Sequence, residues 1–82
     1  MELDLKKLRE EINATDEEIV ELFKKRMAIA ACVAEYKKER SLPVLDAARE
    51  RELLEKISSL AGDELDGYAR TLYRTMLDVS RA

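Results

Sequence analysis

The sequence lacks histidine and tryptophan altogether and contains one cysteine, Cys32. Zinc sites of the Cys/His type and Ser-His or Cys-His nucleophile pairs are therefore excluded. An internal disulfide is excluded too, and Cys32, which has no base beside it, is interpreted as a small packing residue. Neither of the two glycines belongs to a glycine-rich phosphate loop. Arginine, lysine and carboxylates remain, and they suit a reaction that needs positioning and electrostatic stabilisation but no nucleophile and no proton transfer.

The overall composition limits the fold class and the partners. The 82 residues make at most one domain, and 46% hydrophobic with 40% charged residues is typical of amphipathic helices. No segment alternates with the period of a strand, so we predict an all-α protein. A net charge of −3 without a basic patch argues against nucleic acid as a partner. No apolar run approaches the ~20 residues that cross a bilayer and no signal peptide is recognisable, so we expect a cytoplasmic protein without a membrane partner.

The longest predicted element is a helix over about residues 4–40. No glycine or proline precedes Pro43, and mostly apolar residues recur at alternating spacings of three and four, which marks the seam of an amphipathic helix. The seam positions are Leu5, Leu8, Ile12, Thr15, Ile19, Leu22, Arg26, Ile29, Val33 and Tyr36. Such a helix is roughly 50 Å long, which is too long for a compact domain of this size, so we expect a partner chain. A capping box at residues 15–18 is the alternative, with a second helix starting there, but the seam continues through it in phase.

Two shorter helices are predicted over about residues 46–61 and 64–81. Asp46 would cap the first of them, Gly62 would end it, and Asp63 or Asp66 would cap the second. We expect their inner faces to carry Arg49, Leu53, Ile57 and Leu60 on the first, and Leu65, Ala69, Leu72, Tyr73, Met76 and Ser80 on the second.

Positive charges interrupt the apolar seams at Arg26, Lys37 and Arg49. Burying such a cation is unfavourable unless an anion meets it. Arg26 and Lys37 fall on one helix face with Cα atoms roughly 16 Å apart, which leaves room for a small dicarboxylate between their side chains. We predict a pocket for an anionic small molecule. The alternative is that these side chains reach solvent along a helix interface and pair with Glu or Asp.

Arg9 can join such a site only from a second chain. It lies seventeen residues before Arg26, some 25 Å along the helix, so one small ligand cannot touch both residues of the same chain. A second subunit, which the long helix already requires, would supply it. Taken alone, Arg9 is a solvated surface residue.

Three further residues have a structural and a functional interpretation. Asp46 and Glu50 complement the dipole at the start of the second helix, and Glu50 with the backbone amides of that turn could also hold a ligand hydroxyl. Ser80 lies on the apolar face of the third helix. Its hydroxyl either bonds back to the carbonyl of Met76 or donates to a ligand.

The segment Pro43-x-x-Asp46-x-x-Arg49-Glu50 follows Arg26 and Lys37 at a characteristic distance. With it, the chain resembles the all-helical chorismate mutases over essentially its whole length, and most closely the mutase domains fused to prephenate dehydratase in bacterial bifunctional proteins. The resemblance implies an intertwined homodimer of three-helix chains. It also implies the Claisen rearrangement of chorismate to prephenate in phenylalanine and tyrosine biosynthesis, without cofactor or metal. A fused dehydratase or synthase domain in a longer parent protein is compatible with it.

The resemblance further implies how the substrate carboxylates are held. Arg26 and Ser80 would bind one of them. Lys37 and Arg9 of the partner subunit would bind the other. Lys37 would also donate to the ether oxygen of the breaking bond, where negative charge develops.

The ring hydroxyl would be bound by Glu50 and the backbone at Asp46, while Arg49 would order the site. The chain departs from the family in one respect. The family usually has a glutamine four residues after the position of Ser80, also donating to the ether oxygen, whereas this sequence ends at Ala82. We therefore expect the 82-residue chain to bind and dimerise but to catalyse slowly, because losing one such donor lowers rates about 10²–10³-fold.

Three other functions stay open at the level of the sequence. An isochorismate-pyruvate lyase of the same fold would use the same carboxylate clamps on an isomeric substrate, although Glu50, placed for the 4-hydroxyl, favours the mutase. A regulatory domain would bind chorismate or prephenate without turnover. A ligand-free dimerisation module would be stabilised by Arg26→Leu, because its buried cation would have no partner.

Overall fold

The computed structural model describes residues 3–81, which form three α-helices and, within that range, no strand. α1 spans Leu5–Glu39, α2 spans Ala47–Ala61 and α3 spans Asp66–Arg81. The prediction of an all-α fold is confirmed. No helix in the described part of the chain is both long enough and apolar enough to cross a membrane.

The chain divides into two compact units between Cys32 and Val33. The N-terminal unit consists of the larger part of α1, and the C-terminal unit contains the end of α1 with α2 and α3. α1 has no break at Thr15, whose Oγ1 donates to the carbonyl of Glu11 at 2.8 Å. The side chain that would have capped a new helix therefore bonds back into the preceding turn.

The apolar seam of α1 is exposed to solvent. Exposed fractions of its aliphatic and aromatic members lie between 38% and 65%, at Leu5, Leu8, Ile12, Ile19, Leu22, Ile29, Val33 and Tyr36. Each of these side chains is large and would lose unfavourable contact with water by packing. The seam is thus an apolar surface that the described residues leave exposed.

α1 ends in a Schellman motif centred on Ser41. The Leu42 amide donates to the carbonyl of Lys37 at 2.8 Å, and the Ser41 amide donates to that of Lys38 at 3.3 Å. Ser41 has φ of 56° and so adopts the left-handed conformation that this motif usually assigns to glycine. The motif turns the chain sharply away from α1 into the connection to α2.

α2 and α3 form a helical hairpin within the C-terminal unit. Gly62 ends α2 as predicted, with φ of 84° and its amide donating to the carbonyl of Ser58. The Ser58 hydroxyl also donates to Asp66 Oδ2 at 3.1 Å, which ties the last turn of α2 to the first residue of α3. α3 begins at Asp66, so this residue belongs to the helix and is not the cap before it.

The hairpin covers only part of the apolar surface of its two helices. Leu53 and Ile57 on α2 are half-buried, as expected, whereas Leu60 is 73% exposed. Leu72 on α3 is also exposed, as is Leu65 in the turn before that helix, which corrects their predicted place on the inner face. The apolar stripe of each helix is wider than one neighbouring helix can cover, so its outer edge faces solvent. None of the described side chains is fully buried.

Candidate active site

The predicted site residues fall in both compact units. Their places in the chain are Arg9 and Arg26 in the N-terminal unit, and Lys37, Asp46, Arg49, Glu50 and Ser80 in the C-terminal unit. Arg9 is exposed and Arg26 is half-buried. Both belong to α1, and Arg26 is seventeen residues after Arg9, which corresponds to about 25 Å along the helix axis.

Lys37 is the half-buried cation at the end of α1. Its Nζ donates to the carbonyl oxygen of Val44 at 2.9 Å, in the connection that leads to α2. An ammonium group carries three donors, so this bond leaves two for other acceptors. The carbonyl fixes the direction of the ammonium group without neutralising its charge, which remains available to an anion.

Asp46 forms the N-cap of α2, as predicted. Its backbone is extended, and its Oδ1 accepts from the amide of Arg49 at 3.0 Å. The amides of Ala47 and Ala48 come before that donor, where a helix start leaves N–H groups without intrahelical acceptors. Together with the positive end of the helix dipole, this first turn suits a ligand oxygen.

The Arg49 side chain is exposed, which corrects its predicted place on the inner face of α2. The half-buried face of that helix begins one residue later, at Glu50, and continues through Leu53 and Ile57. A shift of one residue turns a helix by about 100°, so neighbouring positions face different surroundings. The role of Arg49 in ordering the site stays a prediction.

Glu50 is held by a residue that the sequence interpretation did not include. The guanidinium Nη1 of Arg81, in the last turn of α3, donates to Glu50 Oε2. The other terminal nitrogen of Arg81, Nη2, donates to Asp78 Oδ1 at 2.7 Å. The three side chains thus form an acid–base–acid row across the open end of the hairpin. Of these two contacts, the sequence could predict only the one between Asp78 and Arg81, because residues three apart on one helix are neighbours on its surface.

Ser80 precedes Arg81 and is half-buried. Its Oγ donates to the carbonyl of Met76 at 2.7 Å. Of the two interpretations of Ser80 drawn from the sequence, this bond is the structural one. A hydroxyl has one proton to donate. Donation to a ligand carboxylate therefore requires the Ser80 hydroxyl to rotate away from Met76.

Comparison with known proteins gives the context for these residues. The family model described as chorismate mutase type II matches residues 8–82. Two similar curated proteins are both named bifunctional chorismate mutase/prephenate dehydratase. The one from Aquifex aeolicus (strain VF5) is 44% identical over 57 residues. The one from Buchnera aphidicola subsp. Schizaphis graminum (strain Sg) is 42% identical over 57 residues.

These matches differ in how much of each protein they cover. The two pairwise matches cover 70% of this chain but 16% and 15% of the relatives, so the chain corresponds to a small part of their length. No solved structure matches it significantly. The family match, in contrast, extends from Leu8 through the rest of the sequence and includes every predicted site residue. On that match, the chain belongs to the chorismate mutase type II family.

Proposed function

We propose that this chain is a chorismate mutase, an isomerase that converts chorismate to prephenate by a Claisen rearrangement. The match of residues 8–82 to the family carries the proposal. The names of the two relatives pair this activity with prephenate dehydratase, and we assign the chain to the mutase part. The proposal is supported by a set of cations and one carboxylate that suits a dicarboxylate with a ring hydroxyl.

The rearrangement needs no nucleophile and no proton transfer, because one bond forms as another breaks within the substrate. The protein has to hold the enolpyruvyl group over the ring in a near-attack geometry. In the proposed site, Arg26 and Ser80 bind one carboxylate. Ser80 exchanges its bond to the Met76 carbonyl for one to the substrate. Glu50 and the first-turn amides that follow Asp46 bind the ring hydroxyl.

Lys37 has the central chemical role in the proposal. One of its three donors is used by the Val44 carbonyl. The two that remain match a substrate carboxylate and the ether oxygen. As the C–O bond breaks, negative charge grows on that oxygen, and a cation already fixed beside it stabilises the transition state more than the ground state.

The proposed enzyme is a homodimer in which Arg9 of the partner subunit completes the clamp on the second carboxylate. Two observations support this arrangement. The seam of α1 is exposed along its length, and a second copy of the same amphipathic helix would cover it. Arg9 and Arg26 are also too far apart along α1 for one small ligand to bridge them within a chain.

The direct test is to incubate the purified chain with chorismate, follow the loss of its enolpyruvyl-diene absorbance and identify the product. Arg26→Ala should abolish turnover, whereas Lys25→Ala, which removes an adjacent exposed cation, should not. Prephenate formation with that pattern supports the proposal. Turnover of isochorismate to pyruvate instead would assign a lyase, and saturable binding without any turnover would assign a regulatory domain.

A further inference from the structure

Arg81 connects the two helices of the hairpin at the position where the proposed site binds a hydroxyl. Its guanidinium contacts Glu50 Oε2 through Nη1 and Asp78 Oδ1 through Nη2. The Arg81 and Glu50 side chains are only 29% and 24% exposed. Glu50 is the fourth residue of α2, and its backbone is fixed by a bond from its amide to the carbonyl of Asp46 at 3.0 Å. Both the backbone and one carboxylate oxygen of Glu50 are therefore restrained.

This pair differs from an ordinary surface ion pair. Lys24 and Glu21, for example, form a pair at 3.6 Å within α1, and their side chains are 67% and 74% exposed. Such pairs contribute little because water and salt screen them. Arg81 instead joins two helices and is anchored at its second nitrogen by Asp78. A planar guanidinium held at both ends fixes the plane and direction of the carboxylate that it contacts.

We propose that Arg81 is a positioning residue, which holds the Glu50 carboxylate in the orientation that accepts the proton of the substrate's ring hydroxyl. The inference rests on the proposed function and extends it to substrate selection. A carboxylate has about four lone-pair sites, so the contact at Oε2 leaves acceptor capacity for the hydroxyl. Without Arg81, Glu50 would sample several rotamers, and the hydroxyl would lose a correctly placed partner.

The ring hydroxyl is attached to the carbon next to the one whose C–O bond breaks, but it takes part in neither the bond that forms nor the bond that breaks. We expect its contact with Glu50 to be made equally in the ground state and in the transition state. Loss of such an interaction raises KM and leaves kcat unchanged. A purely structural role for Arg81 would affect all substrates alike, whereas a positioning role affects only substrates that carry the hydroxyl.

The test compares chorismate with its analogue lacking the ring hydroxyl, 4-deoxychorismate, for the full chain and three variants. Arg81→Leu should raise KM for chorismate about tenfold and leave kcat, and both constants for the analogue, near their original values. Arg81→Lys should recover part of the loss, because a cation remains near Glu50. Arg74→Leu, which removes an exposed arginine from the same helix, is the matched control and should leave KM and kcat unchanged for both substrates.

The ratio of kcat/KM for chorismate to kcat/KM for the analogue is independent of the fraction of folded protein. Partial unfolding of Arg81→Leu therefore does not obscure the result. An equal loss with both substrates, or no loss with either, would overturn the role of Arg81 while the mutase assignment stands. Absence of turnover in the unmodified chain with either substrate would overturn the proposed function and this inference together. A tenfold change confined to chorismate supports both.

Discussion

The Lys37 ammonium group donates to the carbonyl of Val44, seven residues further along the chain. The backbone carbonyl of Lys37 accepts from the Leu42 amide at 2.8 Å. The connection between α1 and α2 is therefore attached to one residue by both its main chain and its side chain. Replacing the Lys37 side chain by an apolar one would remove the proposed catalytic cation and one of these two attachments at once.

Lys37→Met should lower kcat about 10²–10³-fold, since it removes the cation proposed to stabilise the ether oxygen. It should also speed amide hydrogen exchange in residues 41–46, because the side-chain bond to Val44 is lost. Lys38→Met, which removes the exposed neighbouring cation, is the control for both measurements. Unchanged turnover in Lys37→Met would contradict the catalytic role, and unchanged exchange would contradict the restraint on the connection.

Ser41→Gly should increase the free energy of unfolding by about 0.5–1 kcal/mol, because the left-handed conformation is strained for serine and not for glycine. The measurement is denaturant unfolding at fixed protein concentration. Ser59→Gly makes the same chemical change at an exposed position inside α2, where it should destabilise by about 0.5 kcal/mol. A loss of stability in both variants would show that Ser41 is not strained.

Asp46→Ala should lower the free energy of unfolding by about 1 kcal/mol, since the Arg49 amide loses its acceptor at the start of α2. Asp46→Asn keeps a side-chain oxygen and should retain most of the stability. Asp63→Ala removes an exposed aspartate outside the helices and is the control for the change in charge. Equal losses in the Ala and Asn variants of Asp46 would mean that charge, rather than capping, is responsible.

Arg9→Ala and Arg26→Ala chains should each be inactive alone and regain activity when mixed under conditions that allow subunit exchange. In a mixed dimer of the proposed kind, one site combines the intact Arg26 of one chain with the intact Arg9 of the other. Random exchange should restore about a quarter of the original activity. No recovery, despite exchange verified by mass spectrometry, would contradict an Arg9 contributed by the partner subunit.

The features that the sequence predicted well depend on neighbours in the chain. The continuity of α1, the Asp46 cap and the Gly62 stop all involve bonds between residues at most four positions apart. Local spacing and side-chain chemistry are sufficient to predict such bonds. The resemblance of the Pro43–Glu50 segment to a known family is also a property of the sequence alone.

The features that the sequence did not predict depend on which surfaces meet. Glu50 and Arg81 are 31 positions apart on different helices, and no periodicity connects them. Leu60 and Leu72 belong to apolar stripes, but a stripe does not specify which part of it a neighbour covers. Ser41 adopts a conformation that favours glycine, so its residue type gave no signal for it. In each case the missing information is the packing of one element on another.

The exposed seam of α1 has a consequence for how the amount of assembled protein depends on the level of expression. The described residues leave eight large side chains along this helix exposed, and a covering polypeptide would shield them. Where that polypeptide is a second copy, the assembled form increases with the square of the free chain concentration. Halving expression near the dissociation constant then lowers the amount of dimer by more than half. A substitution that weakens the seam would then lower the fraction of dimer most at low chain concentration.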